Sequence, residues 1–287
     1  MRRLLRLSFL TALLFFIQPA SAQETEVFVP YFQWRVGEEL VYKVRYAFIT
    51  VGALRFQVLR QLQYRGRTVY HCRLYIDSSP GLPFVTIHDI YESYIDEDVY
   101  AHHFWSYERK GGYTLFSEYD FDYQQNLAHV QLWRWTKTDT ILEQDTIKQI
   151  PGPVQDGLSI LYFARSRVQK LKGSYEVAAF VFGDLKYAII NFYGGTKKVK
   201  VKGEKLRGFY LDGKLKFVGI AGIKEDFKGW FSLDPQAVPL RANMKAFIGS
   251  VRILLHSWQE WDAPGSIRFK NASPSAVTGK DSLNYAP

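Results

Sequence analysis

Between residues 39 and 46 the chain alternates: Leu40, Tyr42, Val44 and Tyr46 fall on one side, Val41, Lys43 and Arg45 on the other. A period of two is the signature of a strand with one solvated face. Gly52 interrupts the pattern before a second run, Leu54-Arg55-Phe56-Gln57-Val58, and Arg65-Gly66 turns the chain into a third over 68–76. The same reading predicts strands at 90–95, 99–105, 114–123, 128–135 and 141–147, joined by short polar connections. Beyond residue 170 it predicts 175–182, 186–193, 198–205, 208–211, 214–218, 227–233, 240–246 and 251–261. Asp212-Gly213 reads there as a type I′ hairpin turn between 208–211 and 214–218.

One stretch breaks the alternation. After Pro151-Gly152-Pro153, Asp156 is placed to cap a helix whose inward positions Leu158, Leu161, Tyr162 and then Arg165 or Val168 recur at threes and fours. The spacing predicts one amphipathic helix over 156–169, ended by Lys170-Leu171-Lys172-Gly173. A helix with an apolar face needs a sheet to cover, and consecutive antiparallel strands curl until they close or nearly close. The expected fold is mainly β: an antiparallel, strongly curved sheet or incomplete β-barrel, with this helix on its concave side.

Composition agrees, with 47% hydrophobic residues, 16% aromatic and two Met, a balance that favours half-buried strands and excludes disorder. The start of the chain adds an address. Arg2, Arg3 and Arg6, an apolar stretch over 7–17 and Ala20-Ser21-Ala22 have the layout of a secretory signal, with the mature chain starting at Gln23. A stretch this short cannot cross about 30 Å of hydrocarbon, so it is no membrane span. Domain organisation is therefore expected as signal 1–22, one β-rich domain 23–261 and a loosely ordered tail 262–287 rich in Ser, Pro and Ala. Cys72 is the single cysteine, so stability rests on packing rather than a disulfide. It shares a strand face with Tyr70, Leu74 and Ile76, which reads as a buried, inert thiol.

Three segments resemble a family of bacterial proteins. Val36-Gly37-Glu38-Glu39-Leu40-Val41-Tyr42-Lys43-Val44-Arg45-Tyr46 with Val51-Gly52, Asp156-Gly157-Leu158-Ser159-Ile160-Leu161-Tyr162-Phe163-Ala164-Arg165, and Leu233-Asp234-Pro235-Gln236-Ala237-Val238-Pro239-Leu240 leading to Gly249-Ser250-Val251 are similar, in that order, to motifs of DUF3108. The resemblance covers about residues 32–261. It implies an exported envelope protein of a Gram-negative bacterium, in the periplasm or at the outer-membrane periphery. It also implies a fold similar to the half-open barrels of periplasmic lipoprotein carriers, which hold acyl chains between a curved sheet and a covering helix. No carrier motif accompanies it, and the family implies no activity.

Candidate chemistry is sparse. His102 and His103 are strand neighbours that point to opposite faces and cannot share an ion; neither metal nor cofactor is expected. Asp120-Phe121-Asp122 sets two carboxylates on one face, as Asp96 and Asp98 can, the equipment of a glycosidase but also the look of a solvated face. Ser159 lacks the second glycine of a nucleophile elbow and reads as a helix cap. From 197 to 216 run eight cations against Glu204 and Asp212. Lys198, Lys200 and Lys202 alternate with Val199 and Val201 as a ladder: a solvated edge, or a patch for anionic lipid or acidic envelope polysaccharide. Trp133 and Trp135 share a face with His129 and Gln131, as core packing or as sugar-stacking rings. The sequence thus leads to an exported, non-catalytic envelope protein that binds a lipid or lipoprotein-like ligand between sheet and helix. Leu158, Leu161 and Tyr162 would face that ligand. A glycan-binding module and a carboxylate-dependent hydrolase are the alternatives; nucleic acid is not an expected partner of an exported chain.

Overall fold

The computed structural model describes residues 32–82, 86–216, 226–245 and 249–259; the signal, the tail and the ends of the strands read at 214–218, 240–246 and 251–261 lie outside them. The alternating segments become β1 (Glu39–Tyr46), β2 (Ile49–Tyr64), β3 (Arg67–Ser78), β4 (His88–Asp96), β5 (Ala101–Lys110), β6 (Tyr113–Asp122), β7 (Leu127–Trp135) and β8 (Thr140–Gln149). The helix α1 (Ser159–Arg167) follows, then β9 (Lys172–Val181), β10 (Asp184–Val201), β11 (Glu204–Leu215), β12 (Asp226–Phe231), β13 (Pro239–Lys245) and β14 (Ser250–Gln259). The fourteen strands of the described residues join one antiparallel sheet in the order β8-β7-β6-β5-β4-β3-β2-β1-β14-β13-β12-β11-β10-β9. Two meanders therefore meet at the β1–β14 pair, and β8 and β9 are the edges.

Those edges approach without pairing, so the barrel is incomplete. The segment between them works as a seam: Gln155 N donates to Ala178 O at 2.9 Å, and Phe180 N to Gln155 O at 2.6 Å, a single parallel bridge on the edge of β9. Lys148 Nζ reaches across from β8 to Gly183 O at 2.7 Å and pairs with Asp184. Tyr119 on β6 accepts from Gly183 N at 2.9 Å. The enclosed face is the core, where Val58, Cys72, Leu74, Ile95, Phe104, Tyr119 and Phe121 from the first meander meet Phe180, Ile190, Phe192, Leu211 and Phe231 from the second.

The Arg65-Gly66 turn forms as expected, both residues with φ near the left-handed region, at 48° and 77°. The Asp212-Gly213 turn does not: both residues lie inside β11. Gly213 sits opposite Ile190, and a Cβ there would approach Ile189 O to 2.1 Å and the Phe227 ring to 2.4 Å, so this glycine serves a close passage of backbone. The Asp212 carboxylate accepts from Asn191 at 2.9 Å and from the hydroxyls of Tyr210 and Tyr193. The real turn is Lys202-Gly203, at φ 48° and 88°, which splits the strand read at 198–205 between β10 and β11. The hairpin extension past Phe231 folds back as a flap. Its Val199, Val201 and Leu206 pack on Leu40, Tyr42, Val238, Leu240 and Leu255 from β1, β13, β14 and the β12–β13 connection.

α1 is shorter than the expected 156–169 because its first turn is a reciprocal cap. Asp156 accepts from Leu158 N at 2.7 Å and Ser159 N at 2.6 Å, while Ser159 Oγ accepts from Asp156 N at 2.7 Å. That is a capping-box arrangement, and it assigns Ser159 the capping role read from sequence. Ser93 of β4 donates to the same carboxylate at 2.5 Å, which fixes the start of the helix to the sheet.

Candidate functional site

The helix face is a core surface. Leu158 and Tyr162 are fully buried, whereas Leu161 is only half-buried. The choice between Arg165 and Val168 resolves as both: each is enclosed, and Arg165 is among the largest fully buried side chains of the described residues. Its guanidinium donates twice to Glu38, at 2.6 and 2.8 Å, and to Gln236 O at 3.1 and 3.3 Å. The rings of Phe32 and Tyr162 flank it at 4.8 and 5.4 Å. Burial opposes the charge, but the Glu38 carboxylate outweighs it and holds Arg165 firmly protonated. Gln169 Nε2 donates to Asp234 O at 2.6 Å, and Asp234 accepts from Gln236 N at 2.9 Å. The three resemblance segments thus meet at the base of α1, opposite the end capped by Asp156: Arg165 from the second binds Glu38 from the first and Gln236 from the third, with Asp234 beside it on Gln169. Cys72 lies there too, its thiol pushed up by burial and in contact with the Tyr162 hydroxyl, so it is an inert buried thiol.

Trp133 and Trp135 sit on the opposite, outer face of the sheet. Trp135 stacks on Phe116 at 4.8 Å with planes 15° apart, Tyr107 adjoins Phe116 at 5.1 Å, and Trp133 lies opposite Phe116 in register. Further along this face Trp105 packs against His71, Tyr94 and His103. The carboxylates among these rings are all engaged. Glu92 binds His71 and, at 3.1 Å, Arg73. Asp120 takes Tyr64 OH at 2.7 Å, Arg65, and His103 Nδ1 at 3.4 Å. Burial disfavours the imidazolium of His103, but bonding to Asp120 and to Glu118, 3.2 Å away, outweighs it and raises the pKa to about 8. Asp120 and Glu92 are held low by the same partners against the cost of burial. Asp122 is occupied in a turn, accepting from Gln124 N and Gln125 N at 2.9 and 3.0 Å. His102 turns away from His103, as expected, and meets Asp96 at 2.9 Å.

The lysine ladder is only partly a ladder. Lys198 and Lys200 are exposed on the outer side of the flap, directly opposite Arg207 and Lys205. Lys202 leaves them at the turn and sets its ammonium 5.7 Å from the Trp258 ring, where burial and the charge of Lys43 lower its pKa. The residues proposed from sequence therefore lie in three separate places: the helix core, the outer aromatic face and the flap.

One pair escaped the sequence altogether. Asp89 and Glu108 face each other across β4 and β5 on the core side. Burial first, and the Glu108 charge second, push Asp89 up to about 6. Arg109 N donates to it at 3.0 Å, and Lys110 binds Glu108 at 2.7 Å. Only the register joins these two, and no spacing in the chain announces it. Among the described residues no group of three or more His, Cys, Asp or Glu could hold a metal ion, and no helix is long and apolar enough to cross a membrane.

An open, antiparallel, barrel-like sheet wound around one pinned helix is the class of protein that these features define. The chain belongs to the family described as protein of unknown function DUF3108, which matches residues 41–256. No curated protein matches it. Among solved structures it resembles a β-barrel-like protein of the domain of unknown function DUF1849 from Brucella abortus, with a TM-score of 0.52 at 10% identity over 79% of this chain and 98% of the other. At that identity the likeness is one of fold alone.

Proposed function

We propose that this is an exported, non-catalytic protein of the bacterial cell envelope that binds a hydrophobic, acyl-chain-like ligand on the inner face of its sheet, beyond α1 rather than beneath it. The observation that carries this reading is a set of apolar side chains turned toward the core yet only half-buried: Leu54, Phe56 and Ile76 on β2 and β3, Phe209 and Phe227 on β11 and β12. Ile76 lies four residues beyond Cys72, about 13 Å along the strand from the helix base. Large apolar groups left half-covered on an inner face are what a hydrophobic ligand would cover. Export rests on the basic, apolar and small-residue layout of residues 1–22. The non-catalytic reading rests on the engagement of Asp120, Asp122, Glu92, His71, His102 and His103 in local hydrogen bonds.

Native mass spectrometry of protein recovered from a Gram-negative host tests the proposal. Extractable acyl chains are expected on the wild type and not on a folded Ile76→Glu variant. A wild type that carries none, with its melting transition intact, sinks the reading. The Trp135–Phe116 stack supports a second reading, a glycan on the outer face. Under it, Trp135→Ala abolishes a fluorescence response to envelope polysaccharide and leaves acyl-chain retention unchanged.

A further inference from the structure

We propose that the β1–β2 turn is an interfacial anchor that docks the protein on a membrane surface containing anionic phospholipid. Tyr46-Ala47-Phe48-Ile49 concentrates three exposed large apolar side chains in one turn: Tyr46 at 36%, Phe48 at 81% and Ile49 at 49%. Phe48 is the most exposed large hydrophobic residue among those described. Rings and branched chains left in water at a loop tip carry a standing hydration cost, which insertion into the headgroup–acyl boundary removes.

The backbone of the turn is prepared for that transfer. A carbonyl leaving water needs a donor in its place, and here Arg45 Nη2 donates to Phe48 O at 2.7 Å while Arg252 donates to Ala47 O. The two guanidinium groups that cap the turn also stand at its base as charges. Arg45 and Arg252 oppose each other in the β1–β14 register, and like charges so placed destabilise a sheet unless an anion lies between or beside them. Arg241 on β13 adds a third, its pKa lowered by burial and then by Arg252. An apolar tip with cations one step behind it matches the order of a membrane surface met from water: phosphate first, then acyl chain. A second copy of the chain brings the same cations to the contact and is disfavoured by charge.

Flotation with vesicles tests the anchor, using protein recovered from a Gram-negative host and phosphatidylcholine vesicles with or without phosphatidylglycerol. Wild type is expected to float with the anionic vesicles, less so as salt rises. Phe48→Ser with Ile49→Ser should lower that binding about tenfold or more, without moving the melting temperature or any acyl chain retained on the inner face. Arg241→Gln, distant from the turn backbone, should weaken binding to anionic vesicles only. Equal flotation of wild type and the double variant overturns the proposal. So does a wild type that ignores vesicles but forms a dimer which the double variant loses, because the tip then covers a second copy.

Discussion

A buried guanidinium costs several kcal/mol unless its charge is answered, and Arg165 is answered by a carboxylate 127 residues away. Replacing only Arg165 with Met leaves Glu38 buried and unpaired, and should cost about 3–5 kcal/mol. Adding Glu38→Leu should return most of that loss in a urea-denaturation cycle. A double variant as unstable as the single would show that packing around Arg165, not the pair, pins the helix. His103 gives a pH signature. Its pKa rises from an ordinary 6.5 to about 8, so the charged ring stabilises the fold fully below pH 6.5, and the contribution fades as pH climbs through 8. With the side chain 17% exposed, the effect is at most about 2 kcal/mol. The wild type should therefore lose stability over that window by calorimetry, and His103→Gln should lose the slope. At this scale the sequence was half legible. Spacing offered Arg165 or Val168 for the inward face, but periodicity alone cannot say that a cation belongs in a core. That depends on Glu38 and Gln236, which only the folded sheet brings near.

Strands such as β6 and β11 were readable as elements because one face is more enclosed than the other, so side-chain alternation and burial coincide; β4, buried on both faces, and β8, exposed on both, are exceptions. The failures came where a local signal competes with a distant neighbour. Asp-Gly is a turn dipeptide by its own preferences, yet Gly213 is needed where β10 and β12 crowd β11. Gly213→Ala should destabilise by about 1–3 kcal/mol or more through overlap. Gly203→Ala, with nothing within 4 Å of its added Cβ, should pay only for the left-handed backbone, about 1–2 kcal/mol. A thermal melt in which both cost the same would contradict the close passage. The helix follows similar logic: Leu158→Ala should cost about 2–5 kcal/mol, and the half-buried Leu161 clearly less. Its cap and length were legible to within a turn; which of Leu158 and Leu161 is enclosed depends on how β4 holds Asp156.

At the scale of the molecule, the curved sheet with one helix was legible from the order of elements, whereas the sites were not. Trp133 and Trp135 needed the register of β6 and β7 to meet Phe116, and Asp89 needed β5 to meet Glu108. Neither pair leaves a mark within a single strand. The strand order carries a further consequence, in time. Among the described strands β1 is the first to be synthesised and β14 the last, yet they are hydrogen-bonded neighbours: Leu40 pairs with Trp258, 258 − 40 = 218 residues later. At about 5–20 residues per second, roughly 10–40 s separate the appearance of the two. Throughout that interval β1 lacks its β14 neighbour, and Leu255, which packs with Leu40 and Tyr42, arrives only at its end. A nascent chain built this way cannot complete its sheet until β14 has been made. Until then the unpaired edge of β1 is open to a chaperone.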